Sequence, residues 1–138
     1  MKKIFVIIGF MAMGLVAMAQ EYITTQEFKT KVWDYKKNSK SIVLNSKLPV
    51  VLDFYADWCR PCKMVAPELT QLQKEYKGRI LVYKINIDQE KELAQVFGIQ
   101  SIPTIFFIRT DGKYTGLMGY RTNYELKQIV DSFFFNIK

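Results

Sequence analysis

The sequence predicts an α/β fold, a mixed central sheet with helices on both faces. Three observations predict it. Short apolar runs at 49–55 and 80–87 have the nearly continuous hydrophobicity of strands buried on both faces. Stretches of helical periodicity separate the strand patterns, and that alternation makes parallel strands joined by crossover helices. Asp111-Gly112, between two further strand patterns, marks a hairpin and therefore an antiparallel edge. The 138 residues are 49% apolar and 24% charged, as in an ordinary globular domain. No repeat, low-complexity tract or linker divides them. One domain is expected over residues 20–138.

The chain opens with MKKIFVIIGFMAMGLVAMAQ. Lys2 and Lys3 precede an uncharged run from Ile4 to Ala19, and Ala17-Met18-Ala19 has the small-x-small cleavage pattern. Residues 1–19 therefore read as a secretory signal peptide, cut before Gln20. The rival reading is an uncleaved membrane anchor, which needs roughly 20 apolar residues. No Cys lies near the cleavage site to accept a lipid.

Thr24-x-x-Glu27 is a capping box, and Phe28, Val32 and Tyr35 give the following helix its apolar face. The polar stretch 38–47 reads as a loop, with Ile42-Val43-Leu44 as a candidate edge strand. After the strand Pro49–Tyr55, Val65, Leu69, Leu72 and Tyr76 form a helical stripe, closed by Gly78 as the residue after the cap. Ile80–Ile87 is the next strand. Asp88 is positioned to cap a short helix carrying Leu93, Val96 and Phe97, stopped by Gly98. Strands 104–108 and 114–118 flank a two-residue turn. Thr122-x-x-Glu125 is a second capping box, and Leu126, Ile129, Val130, Phe133, Phe134 and Ile137 stripe the last helix.

Composition excludes much chemistry. There are two Cys and no His, so neither a Cys-His nor a Ser-His pair exists, and the four ligands of a structural zinc site are lacking. One bridge at most can form, so the fold is not a disulfide framework. The net charge of +7 is spread along the chain without a long basic run. It reads as a solvated basic surface, and no nucleic-acid partner is expected.

Both cysteines lie in Trp58-Cys59-Arg60-Pro61-Cys62, between a buried strand and a helix. Such a C-x-x-C can be half of a metal site, a structural staple or a redox pair. The missing second ligand pair disfavours metal, and so small a loop constrains the unfolded chain weakly. The position favours a redox pair. Cys59 falls at a helix N-terminus, where free N–H groups and the dipole stabilise a thiolate, and Pro61 suits a first turn that has no use for its N–H. Asp53 interrupts an apolar strand, and a buried acid calls for a compensating role.

With these residues the chain resembles the thioredoxin family. The resemblance rests on Val51-Leu-Asp-Phe-Tyr-Ala-Asp-Trp-Cys-Arg-Pro-Cys-Lys-Met-Val-Ala-Pro67, on Lys84-Ile-Asn-Ile-Asp88 and on Phe97-Gly-Ile-Gln-Ser-Ile-Pro-Thr104, with glycines at 112 and 119. It implies the thioredoxin fold and a thiol–disulfide oxidoreductase whose only redox group is the Cys59–Cys62 pair, without metal or organic cofactor. It implies that Cys59 is the exposed nucleophile and Cys62 the buried resolving thiol. Asp53 would help deprotonate Cys62, with Lys84 near that acid. Trp58 would stand beside the nucleophile. Pro103 would be a cis-proline facing the disulfide, with Ile102 offering backbone to substrate. Pro67 would lie inside the active-site helix. The family's usual Gly-Pro between the cysteines is Arg60-Pro61 here, so these two residues are expected to tune the potential.

Together these readings give an exported, extracytoplasmic, monomeric reductase of disulfides. Its expected partners are cysteine-containing exported proteins and a membrane thiol carrier that donates electrons. The alternatives are an oxidase or isomerase, and a non-catalytic binding module that docks partners through Trp58 and the Ile102-Pro103 loop.

Overall fold

The computed structural model describes residues 20–137. The expected signal segment, 1–19, lies outside the described residues. The chain runs β1 (Glu21–Tyr22), α1 (Thr25–Lys31), β2 (Val50–Tyr55), α2 (Arg60–Glu75), β3 (Leu81–Asn86), α3 (Lys91–Val96), β4 (Thr104–Ile108), β5 (Tyr114–Met118) and α4 (Asn123–Ile129). A π-helical turn, Val130–Phe134, follows α4. The sheet order is β1-β3-β2-β4-β5. β1, β3 and β2 are parallel, and β4 and β5 are antiparallel additions.

Strand alternation divides the core in two. Val50, Leu52 and Phe54 pack with Phe28 and Val32 of the α1 region and Leu93 of α3. Val51 points the other way, to Val65, Leu69 and Leu72 of α2 and Leu126 of α4. The central strand is buried along its whole length, which is why its sequence is a run and not an alternation. Asp53 shares the phase of Val51 and Tyr55, so it faces the side that α2 covers.

Both capping boxes form as expected, at Thr24/Glu27 and Thr122/Glu125. Several boundaries differ from the sequence reading. Helix α1 stops at Lys31, short of Tyr35, because the 38–47 loop folds back on its end. The Asn45 side-chain amide donates to the carbonyls of Lys29 and Thr30, each at 3.1 Å, and the Asn45 N–H donates to Val32 at 2.7 Å. Ile42-Val43-Leu44 is therefore loop, and the edge strand is β1, two exposed residues too short to show a pattern. Asp88 does not cap α3. The N-cap is Glu90, which makes no side-chain cap bond to its own helix. Its carboxylate accepts instead from the N–H (2.7 Å) and hydroxyl (2.6 Å) of Thr25, and so caps α1. Helix α2 ends at Glu75, which puts Gly78 one residue beyond the expected position.

The hairpin loop has three residues, not two: Arg109 and Lys113 still pair at 2.8 Å, and Gly112 donates back to Arg109 at 3.0 Å. Gly112 has φ +81, the left-handed residue such loops require. A Cβ there would also collide with the carbonyl oxygen of Ile42. The last helix continues past Ile129 without a break, widening into the π-helical turn Val130–Phe134. The π-helical turn is tied down where Tyr76 donates its hydroxyl hydrogen to Asp131 and Arg109 donates to the Phe133 carbonyl at 3.3 Å.

Candidate active site

Strand β2 delivers Tyr55 to the sheet's end, and Ala56-Asp57-Trp58 turns the chain into α2. The Cys59 N–H closes this turn on the Ala56 carbonyl at 3.1 Å. Cys59 is the N-cap of α2, and its sulfur accepts the Cys62 N–H at 3.3 Å. A thiolate there would receive the same donor and the positive end of a sixteen-residue helix. Arg60 and Pro61 occupy the exposed first turn, where the missing proline N–H costs nothing. Pro67 lies further along α2, inside the helix.

Cys59 and Cys62 are joined as a disulfide with Cα atoms 5.3 Å apart. The expectation of an exposed nucleophile needs correcting for this oxidised state, because Cys59 is only 4% exposed and Cys62 2%. Tyr55 and Ala56 surround them, with Ile87 and Ile102 packed on the outside. The Ile102–Pro103 bond is cis, and Pro103 is buried. Ile102 thus meets the cysteine cluster directly.

Asp53 is completely buried, and neither carboxylate oxygen has a hydrogen-bond partner. Burial pushes its pKa up to about 7, and the positive charge of Lys84 offsets only part of that. Lys84 stands opposite Asp53 in the β2–β3 register. No ion pair joins the two among the described residues, since the ammonium sits over the Tyr55 ring, 4.3 Å from its centroid, and 5.5 Å from that of Tyr22.

Trp58 is 70% exposed, so it is not core. Its indole N–H donates to Asp88 at 2.8 Å, which is the use that Asp88 finds in place of capping α3. Asn86, nearly buried, accepts the Asp88 N–H at 2.9 Å and reaches Asp57 at 3.5 Å. Asp57, Asn86 and Asp88 thus brace the loop that carries Trp58, and sequence reasoning missed all three in that role. The one available signal was Asn86, a polar residue ending an apolar strand. No cluster of three or more metal-ligating side chains occurs among the described residues.

Arg60 follows Cys59 in the chain and brings an exposed cation to the first turn of α2. It favours the thiolate and hence the reduced form, so the couple should be more oxidising than in Arg60→Gly. Solvent screening limits the shift to about 20 mV or less. Glutathione-buffered titration of both proteins checks this; a lower potential in the wild type contradicts it.

A mixed sheet whose central strand runs into a paired dithiol at a helix N-terminus defines a thiol–disulfide oxidoreductase. Residues 22–132 match the family model for thioredoxin. The thioredoxin of Borreliella burgdorferi is 39% identical over 112 residues, which cover 81% of this chain and 95% of that protein. Thioredoxin 1 of Chlorobaculum tepidum is 52% identical over 64 residues, 46% of this chain and 63% of the relative. Among solved structures, chloroplastic thioredoxin z superposes with a TM-score of 0.69 at 27% identity, covering 83% of this chain and 94% of that one. The chain belongs to the thioredoxin family, and its fold is the thioredoxin fold.

Proposed function

We propose that this thioredoxin is exported, loses residues 1–19 and works as a monomer outside the cytoplasm, reducing disulfides in exported proteins. The Cys59 thiolate attacks one sulfur of a substrate disulfide. A mixed disulfide forms and the other substrate sulfur leaves as a thiolate. Cys62 gives its proton to the Asp53 carboxylate and attacks Cys59, releasing the second substrate thiolate and closing the Cys59–Cys62 disulfide. Two electrons pass from the dithiol to the substrate, so the cysteine pair is itself the carrier. A membrane-embedded thiol carrier returns the electrons. Trp58 and the Ile102-Pro103 backbone flank the incoming disulfide.

The observation that carries this reading is Asp53, a buried and unpartnered acid on the face covered by α2. Docking alone has no use for such a group. Export rests on the n-region, apolar run and Ala17-Met18-Ala19 of the first segment.

Two measurements on one preparation test it. Intact mass of the extracytoplasmic protein should show a chain beginning at Gln20; a full-length chain retained in the membrane fraction overturns cleavage. Redox titration of the same protein should give a potential near about −270 mV, the reducing end of the range, whereas one near about −120 mV makes it an oxidase.

A further inference from the structure

The end of the sheet remote from the redox pair holds a cleft that thiol chemistry leaves unused. From Val50, the six residues of β2 run about 20 Å before the active-site loop begins. At that far end Lys47, Arg79, Arg109 and Thr110 share a cleft of about 370 Å³ with Phe134 and Phe135. Among the described residues no acid lines it.

The three cations are not equivalent. Arg109 is largely committed, since Asp111 takes its Nε and Nη2 at 3.2 and 3.0 Å and the Phe133 carbonyl takes its Nη1. Arg79 and Lys47 have no ion-pair partner among the described residues. The Arg79 guanidinium lies 4.2 Å from the Phe135 ring centroid and 5.6 Å from that of Tyr76. Those two rings are themselves stacked, 6.0 Å apart and 14° from parallel. The ring contacts hold the guanidinium in place, and among the described residues its N–H groups make no hydrogen bond or ion pair, which leaves them for acceptor oxygens.

We propose that this cleft binds an organic phosphate. Arg79 and Lys47 meet the phosphate oxygens, Arg109 adds to the positive field, and the carbon portion of the ligand covers Phe134 and Phe135. Two unpaired cations facing one space suit a dianion better than a singly charged carboxylate. The aromatic floor favours an anion with an apolar body over a bare inorganic ion.

Phenyl phosphate and vesicles containing phosphatidic acid, both phosphate monoesters, are the probes, each titrated into the intact protein, with calorimetry and amide NMR as readouts. Phenyl phosphate should bind once per chain, at least about tenfold more tightly than inorganic phosphate, and shift the Gly78 and Thr110 amides. Arg79→Gln should weaken it at least about tenfold. Lys47→Gln, on an exposed loop and outside the hydrophobic core, should weaken it severalfold in a protein of unchanged thermal stability. Binding of phenyl phosphate alone supports the site with a soluble ligand. Binding of vesicles as well, lost together in Arg79→Gln, supports it with a lipid headgroup as the source. Equal binding in wild type and both variants overturns the proposal, as does vesicle binding without saturable phenyl phosphate binding.

Discussion

Replacing Cys62 with alanine is expected to turn the protein into a covalent trap for its substrates. Cys59 keeps its activation, because the α2 N-terminus and not the partner thiol supplies it. The first exchange therefore still occurs. The second has no thiol to perform it, so the mixed disulfide persists and turnover falls to background. Non-reducing gels of protein expressed with residues 1–19 in place should show adducts with exported cysteine-containing proteins. Dithiothreitol should remove them, and the Cys59→Ala, Cys62→Ala double variant should never form them. If Cys62→Ala gives no reducible adducts while partners co-purify with the double variant, the chain is a docking module in the cell.

The second large effect belongs to Asp53. Burial holds its proton up to about pH 7, against 3.8 for an ordinary Asp. An unfolded chain releases that proton near pH 4, so folding takes one up between about 4 and 7. The favourable contribution is fully present below about pH 4, falls as pH rises to about 7, and is constant above. Three pH units correspond to a loss on the order of 4 kcal/mol. Asp53→Ala abolishes this loss. At pH 8 the variant should resist denaturant better than the wild type, by up to about 4 kcal/mol less the packing lost with the side chain. At pH 4 the advantage should be gone.

Activity should move the other way. The ionised carboxylate accepts the Cys62 proton, so wild-type turnover rises with pH through about 7. Asp53→Ala should lose that inflection and run on the order of a hundredfold slower at pH 8, the low side of what a positioned base contributes. Equal rates across neutral pH would remove Asp53 from the mechanism, and unchanged stability at pH 8 would contradict its burial as a charge.

Much of this site was legible from residues a few positions apart. Cys59 and Cys62 at a strand–helix junction, Pro61 in the first turn and Asp53 inside an apolar strand each carry their meaning locally. Lys84 was placed near Asp53 by the family resemblance and not by its own spacing; the sheet sets the two opposite, and the cation resting on tyrosine rings was not legible at all. Tyr22 reaches it from β1, a two-residue strand without periodicity. The family resemblance put Trp58 beside the nucleophile, yet its anchor was assigned elsewhere. Asp88 looked like a helix cap because capping is what an acid before a helix usually does.

Capping boxes, apolar strand runs, the hairpin glycine and the C-x-x-C are properties of a few consecutive residues, so spacing along the chain sufficed to read them, and with them the layering of the sheet and the redox chemistry. The partners of single polar groups were a different matter. Trp58 meets Asp88 across 30 positions, and Thr25 meets Glu90 across 65. Asn45 closes α1 from a loop in which local patterning offered the preceding Ile42-Val43-Leu44 as an edge strand. A hydrogen bond acts only within about 3 Å, and a carboxylate takes whichever donor the folded chain brings that close. Such pairings have no periodicity. They exist once the sheet has set its strands side by side, which is why the bracing of Trp58, the place of the Lys84 ammonium and the cationic cleft at the far pole emerged from the packed molecule.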